Sequence, residues 1–330
     1  MMRNAQIVSS GMYVPEKVVP NSYFNELLGE DVDTWLRENL TIKERRWCNE
    51  NQSTADLCVE AAKVIIENAK VKADELDLLI IATDTPEYIS PSTASVVQYR
   101  LGAGKAGTFD VNTACAGFVT AIDIASKYIR SDKKYNKVLV IGAYAMSKYL
   151  NLQDKKTVTL FADGAAGVLL ASTENELEGF LTSKLYTEGQ YCDWMGIYAG
   201  GTHIPVTQKV LDNKDHLLKF VKKFPKETNP ITWTRMIKEA CDEINIKPEK
   251  ISHYFITQIN INSIWETLDN LRVDRSKGHT IMEYYGYTGS ACIPMAFDDA
   301  NKKGLIKKGD LVLFIGSGGG LAFALSIFKM

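Results

Sequence analysis

The sequence predicts an α/β protein built on a duplicated unit, with its sheets covered by helices. Three observations carry that prediction. Short apolar runs alternate with helix-periodic stretches along most of the chain. The order of elements in the first 175 residues recurs after residue 233. The length, 330 residues with 45% hydrophobic and 24% charged, exceeds one ordinary domain and suffices for a large core. The predicted division is an N-terminal half over 1–175, an irregular and charged insertion or cap over 176–232, and a C-terminal half over 233–330.

Taken in order, Leu76–Thr83 is a short apolar run of the kind found in buried strands, and Thr93–Leu101 is a helix. Phe109–Val111 leads into a turn of small residues. After it, Val119, Ile122, Ala125 and Ile129 share one helical face. Lys137–Gly142 and Phe161–Ser172 are further strands, the second opened by Ala162-Asp163-Gly164-Ala165-Ala166-Gly167. The second cycle has a helix over Trp233–Ile244, a strand over Ile251–Thr257, helices over Asn260–Leu271 and Ser290–Lys302, and a hairpin of Asp310–Ile315 with Leu321–Phe328 around Gly316-Ser317-Gly318-Gly319-Gly320. Tyr254–Thr257 answers Leu78–Thr83, and the hairpin answers Val138–Gly142 with Gly164–Ala171. Such a duplication puts the active site where the halves meet.

Composition excludes several classes. A formal net charge of −2 gives no bulk attraction to nucleic acid or to anionic membranes. No run approaches the ~20 apolar residues of a membrane span, and no apolar signal core opens the chain, so a cytoplasmic protein is expected. The six cysteines, at 48, 58, 115, 192, 241 and 292, include no Cys-x-x-Cys pair. That spacing argues against a metal site or a disulfide framework.

Cys115 stands apart, in Asp110-Val111-Asn112-Thr113-Ala114-Cys115-Ala116-Gly117-Phe118. Small neighbours let a substrate carbonyl approach. If the thiol opens the following helix, unpaired amides and the helix dipole favour its thiolate. The plainer alternative is a buried structural cysteine.

The chain resembles the thiolase superfamily, and within it the β-ketoacyl-acyl-carrier-protein synthase III family. The stretches that carry the resemblance are Ser10-Gly11-Met12-Tyr13-Val14-Pro15, Ile42-Lys43-Glu44-Arg45-Arg46, Ala114-Cys115-Ala116-Gly117-Phe118, Phe161-Ala162-Asp163-Gly164, and Gly318-Gly319-Gly320. The resemblance implies the thiolase fold: two βαβαβαββ halves with helices between and outside two mixed sheets, forming five αβαβα layers. It also implies 3-oxoacyl-carrier-protein synthase chemistry. Cys115 takes an acyl group from a coenzyme A or carrier-protein thioester and passes it to a second thioester, with no permanently bound cofactor and no metal. Acyl carrier protein and a second copy of the chain are the implied partners.

In that family a His and an Asn join the Cys and hydrogen-bond the donor thioester oxygen. The motif Pro-His-Gln-Ala-Asn appears here as Ile256-Thr257-Gln258-Ile259-Asn260, and His-Gly-Asn-Thr-Ser-Ala appears as Tyr285-Gly286-Tyr287-Thr288-Gly289-Ser290. Thr257 therefore stands at the His and Tyr287 at the Asn. Each donor at a developing oxyanion is worth ~3 kcal/mol in a dry site, so the hydroxyls would make a weaker hole for decarboxylation. The first acyl transfer needs only backbone amides, those of Cys115 and Gly319. His253 lies four residues from Thr257, roughly 13 Å along a strand, and cannot replace the missing imidazole. His279 and His216 are read as surface or structural, and His203 as the one to check should the cap cover the site. Asp84 matches the position where the related hydroxymethylglutaryl-coenzyme A synthases keep a catalytic Glu, so it is a candidate acid/base. The plainer alternative is a turn Asp capping the next helix, and Glu87 is equally ambiguous.

On the substrate side the resemblance places Trp35, Asn39, Lys155 and Asn260 at the coenzyme A contacts. Asn39 and Lys155 stand where the family has Arg, and Asn lacks the planar cation that grips an adenine, which favours a carrier-protein thioester as primer. Lys43, Arg45 and Arg46 are a candidate contact for an acidic carrier protein or a solvated charge run. Ser90-Pro91-Ser92-Thr93 is expected near the dimer contact. Three readings stay open: a condensing enzyme, an acyltransferase to an oxygen, nitrogen or sulfur nucleophile, and an inactive partner of an active homologue.

Overall fold

A computed structural model describes residues 3–330. Five strands form the first sheet: β1 (Asn4–Tyr13), β2 (Leu78–Ala82), β3 (Gly107–Val111), β4 (Lys137–Ala145) and β5 (Asp163–Thr173), in the order β1-β5-β4-β2-β3. β2 runs parallel to β3 and β4, while β5 is antiparallel to β4 and β1. Four strands form the second: β6 (Gly179–Thr187), β7 (His253–Ile256), β8 (Leu311–Gly318) and β9 (Ala322–Lys329), in the order β7-β8-β9-β6. The pairing pattern repeats the first sheet strand for strand. Where β3 would have its counterpart, a single parallel bridge joins Tyr254 to Gly278.

The helices follow from local signals. α1 (Asp33–Leu40) ends on Thr41 in the left-handed region. α2 (Thr54–Ala69) starts on a capping box in which Ser53 and Asp56 satisfy each other's amides. α3 (Thr93–Leu101) stops at Gly102, φ +76°, and the Asp110 carboxylate caps its first turn by accepting from the Thr93 and Ala94 amides at 2.6 and 2.8 Å. α4 (Gly117–Ser131) and α7 (Cys292–Lys302) are buried nearly all round, as expected of helices enclosed by sheets on both sides. α5 (Thr228–Glu243) and α6 (Ile261–Asn270) bury only one face.

Packing sorts these elements into five layers. One apolar cluster joins α2 and α3 to the outer face of the first sheet, and another joins α5 and α6 to the outer face of the second. The largest lies between the sheets around α4 and α7. This is the duplicated thiolase arrangement. The stretch 176–232, expected to be irregular, opens with β6, which pairs with β9 along its length, so its first residues belong to the second sheet. The remainder holds short elements up to Thr228, where α5 begins, five residues before the expected Trp233.

The Arg45 expectation is overturned. Its guanidinium is wholly buried, lies over the Phe24 ring at 4.6 Å, and donates to the carbonyls of Val19 and Thr159 and the Asn21 side chain. Arg45 is therefore a core tie between segments. Lys43 pairs with Glu283, and Arg46 is half-buried beside the Pro15 and Glu16 carbonyls. Arg45 therefore takes no part in a surface contact with a carrier protein.

The halves meet at distances that only glycine permits. A Cβ on Gly142 of β4 would stand 2.2 Å from the Ser290 carbonyl oxygen just before α7. The backbone there has nowhere to move. Gly142→Ala is therefore expected to destabilise the fold by about 1–3 kcal/mol, read as a lower denaturant midpoint at unchanged slope.

Candidate active site

β3 delivers the chain to a single 3₁₀ turn, Ala114–Ala116, from which α4 departs. Cys115 sits on that turn, two residues before Gly117, where α4 begins without a side-chain cap. Ala114 takes φ +45°, a left-handed conformation costly for a residue with a side chain. The Asn112 side chain accepts its amide at 3.1 Å and so helps hold it. The end of β8 presses on the same turn. A Cβ on Gly318 would lie 2.5 Å from the Cys115 amide nitrogen, and one on Gly316 would lie 2.8 Å from the Ala116 Cα.

Two cavities meet at Cys115, Gly319 and Met195. The first, of about 290 Å³, is lined by Tyr287, Asn260, Ser317, Phe220 and Trp35 among others. It merges through Trp35, Lys156, Phe220 and Lys223 with a groove of about 640 Å³ that also takes in Lys155. The second, a smaller chamber of about 250 Å³, holds Asp84, Asn112, Tyr144, Cys192 and Tyr198.

Tyr287 reaches the sulfur. Its amide donates to the Leu160 carbonyl at 3.0 Å, its carbonyl accepts from Ala162 at 2.9 Å, and its ring packs on Phe161. The hydroxyl is thereby turned toward Cys115, where it eases the thiol's ionisation while its own is made harder. Thr257 does not reach. Buried at the end of β7, its hydroxyl accepts the Ser317 amide at 2.9 Å, and it lines neither cavity.

The Cys115 thiol is pushed well above its ordinary value by burial, with the Asp84 carboxylate adding to the rise and the Tyr287 hydroxyl opposing it. An exposed helix-start cysteine would be shifted the other way. The dry surroundings outweigh the helix N-terminus here.

Asp84 caps no helix, since Asp110 does that for α3. It follows β2 in a turn fixed by the buried hydroxyls of Thr83 and Thr85, the latter accepting the Ala145 amide at 2.9 Å. Burial raises its carboxyl to about 6, and its Oδ1 is enclosed without a partner. Glu87 is structural, accepting the Ala55 amide and pairing with Arg100.

Of the substrate-side residues, Trp35 is 56% exposed and lines both the inner cavity and the groove. Lys155 lines the groove and pairs with Glu30 at 3.0 Å. Asn260 lines the inner cavity while its side chain caps α6. Asn39 lines neither. Its side chain donates to the Trp35 carbonyl and its carbonyl accepts from Asn262. None of the four histidines lines a cavity at Cys115; His253 and His279 are paired with Asp310 and Asp299. Tyr144 and Tyr198 had no sequence signal. Tyr144 lies at the end of a strand, and Tyr198 lies in a segment without periodicity.

A thiolase fold whose halves converge on a cysteine turn, with a channel leading to the sulfur, defines an acyl-transferring enzyme. Family models for 3-oxoacyl-[acyl-carrier-protein] synthase III match residues 109–189, and for its C-terminal part residues 241–330. A beta-ketoacyl-[acyl-carrier-protein] synthase III from Clostridium novyi is 35% identical over 331 residues, covering 99% of each chain. The crystal structure of 3-oxoacyl-[acyl-carrier-protein] synthase III from Aquifex aeolicus is 30% identical, covers 99% of this chain and 100% of that one, and superposes with a TM-score of 0.89. Another 3-oxoacyl-(acyl-carrier-protein) synthase III structure, at 25% identity, reaches 0.93. The chain belongs to the 3-oxoacyl-[acyl-carrier-protein] synthase III family of condensing acyltransferases.

Two outcomes follow from the electrostatics. Tyr287→Phe removes the neighbouring hydroxyl that favours the thiolate and is expected to slow Cys115 alkylation by iodoacetamide about tenfold at pH 8, with the pH profile displaced upward. Asp84, raised from 3.8 to about 6, weakens the fold wherever it is ionised. That penalty is full above pH 6 and gone below the unfolded value near 4. Asp84→Asn is therefore expected to raise the denaturant midpoint at pH 7.5 and leave it unchanged at pH 3.5.

Proposed function

We propose that the chain loads an acyl group on Cys115 and condenses it with a second thioester of the malonyl kind, with Tyr287 as the side-chain donor at the reacting oxygen. The observation that carries this reading is the meeting of two cavities at one buried sulfur, one open to a lysine-bordered groove and one a smaller chamber able to hold the acyl group. In the first half-reaction the thiolate attacks the thioester carbonyl. The Cys115 and Gly319 amides receive the oxyanion, and the donor thiol leaves as the acyl–sulfur bond forms. In the second, the donor's carbon–carboxylate bond breaks, carbon dioxide leaves, and the electron pair forms an enolate whose oxygen the Tyr287 hydroxyl meets. The enolate carbon then attacks the acyl carbonyl and the Cys115 thiolate departs.

With Thr257 turned toward Ser317, one donor remains at the enolate. Loss of the other costs on the order of 10²–10³ in rate, so condensation is the slower half. This also gives grounds for a second reading, in which the loaded acyl group passes to an oxygen, nitrogen or sulfur nucleophile without decarboxylation. An inactive partner subunit is disfavoured by the open route to the sulfur. Asp84 borders the acyl chamber rather than the entry cavity, which favours a role toward the acyl group over proton abstraction from an incoming donor.

The phosphopantetheine arm of acyl carrier protein or coenzyme A fits the entry route. Lys156 and Lys223 border it, and neither has an ion pair among the described residues. The reading requires no resident cofactor or metal. Cytoplasmic conditions suit its six free thiols. We also propose a homodimer joined along β3, an unpaired sheet edge beside the exposed Tyr88, Ile89 and Tyr99, which are 53%, 84% and 85% accessible.

Intact-mass measurement after mixing with acyl thioesters is expected to show an adduct absent from Cys115→Ala. Addition of malonyl-carrier protein should then release carbon dioxide, more slowly than the adduct forms. An adduct that persists without carbon dioxide release, yet is cleared by an amine or alcohol, establishes the second reading instead. For the dimer, Ile89→Asp with Tyr99→Asp is expected to halve the mass seen by light scattering, and an unchanged mass places the interface elsewhere.

A further inference from the structure

The groove that leads to the Cys115 cavity changes charge along its length. At the neck, where the two spaces merge, Lys156 and Lys223 line both. Farther out, in the part that belongs to the groove alone, stand Glu30, Asp31 and Lys155. The two acidic residues lie in the connection that enters α1. Glu30 holds the Lys155 ammonium at 3.0 Å through each of its carboxylate oxygens, so the lysine of this outer part is already matched. Asp31 accepts from the Thr34 hydroxyl at 2.6 Å and from its amide at 3.3 Å, and these bonds hold its carboxyl below the usual range. The neck is therefore positive, and the outer groove carries one more carboxylate than it has cations to match.

We infer that Glu30 selects the acyl donor, turning away coenzyme A thioesters so that the acyl group reaches Cys115 on the phosphopantetheine arm of a carrier protein. The inference rests on Cys115 as the acyl carrier and adds the class of donor. A thioester that reaches the sulfur passes the neck, and whatever its arm bears beyond that point lies in the outer groove. A carrier-protein arm ends in a single phosphodiester, which the ammonium groups of Lys156 and Lys223 are placed to meet. Coenzyme A continues into a pyrophosphate and a phosphorylated ribose. Those further anions face Glu30 and Asp31, and Lys155 is occupied. The repulsion acts across a wet surface, since the Glu30 and Lys155 side chains are 49% and 57% exposed. It is screened by salt and amounts to a severalfold discrimination, built from an element that opposes the wrong donor.

The test is the rate of Cys115 acylation, followed by intact mass on the full chain, with butyryl-coenzyme A, butyryl-phosphopantetheine and butyryl-acyl carrier protein at low ionic strength and below saturation. Butyryl-phosphopantetheine, the same arm without a nucleotide, is expected to load at least as fast as butyryl-coenzyme A. Glu30→Gln removes one charge at unchanged size and releases Lys155 from its ion pair. It is expected to speed loading from coenzyme A about fivefold and to leave the other two donors within about twofold. Added salt should narrow that gain. Lys223→Ala is expected to slow all three donors alike, because it meets the phosphate they share. Loading from coenzyme A about tenfold faster than from phosphopantetheine in the unmodified protein overturns the inference, since the nucleotide is then bound rather than repelled. So does a Glu30→Gln variant with an unchanged ratio between those two donors; in both cases the acyl-carrier function stands. Absence of an adduct on Cys115 with every donor overturns the acyl-carrier reading and this inference together.

Discussion

The contact between the end of β8 and the turn holding Cys115 governs the rest of the molecule. Gly316 and Gly318 let one half of the duplicated fold come within van der Waals reach of the backbone that presents the thiol in the other. A side chain at either glycine would push the halves apart. The strain stored at Ala114 persists because this contact, the Asn112 bond and α4 together over-determine the turn. A buried thiol on one half and a backbone wall from the other are thus held in fixed relation by packing between two sheets.

Burial has an electrostatic consequence. The interior that fixes Cys115 also removes water from it, and thiol, carboxyl and phenols there are all shifted toward their neutral forms. Tyr287 and the backbone amides are the compensating dipoles. In a low-dielectric pocket such preoriented donors act with more force than in water. A substrate that fills the space with matched polar groups therefore changes the ionisation of the site as well as its occupancy.

The strands and central helices were legible because burial on both faces writes continuous apolar runs, as in Leu78–Ala82, and because α4 and α7 are enclosed all round. β6 was not. Its outer half is exposed and its residues, Lys184 to Thr187 among them, read as a charged loop; only pairing with β9 makes them a strand. Arg45 looked like part of a surface charge run until the Val19, Asn21 and Thr159 groups that accept from its two terminal nitrogens were brought round it by long-range folding.

The amino-acid order alone determined the class of fold, the duplication and the position of the small-residue turn that carries Cys115, since each is written in local periodicity or in a run of small residues around one thiol. Which groups face that thiol was decided only in three dimensions. Thr257 and Tyr287 are equivalent as hydroxyl-bearing letters, yet one bonds to Ser317 and the other is turned toward the sulfur. Asp84 and Tyr198 lie 114 positions apart and share a chamber. Those relations arise from the packing of one half against the other, and no local stretch of chain contains them.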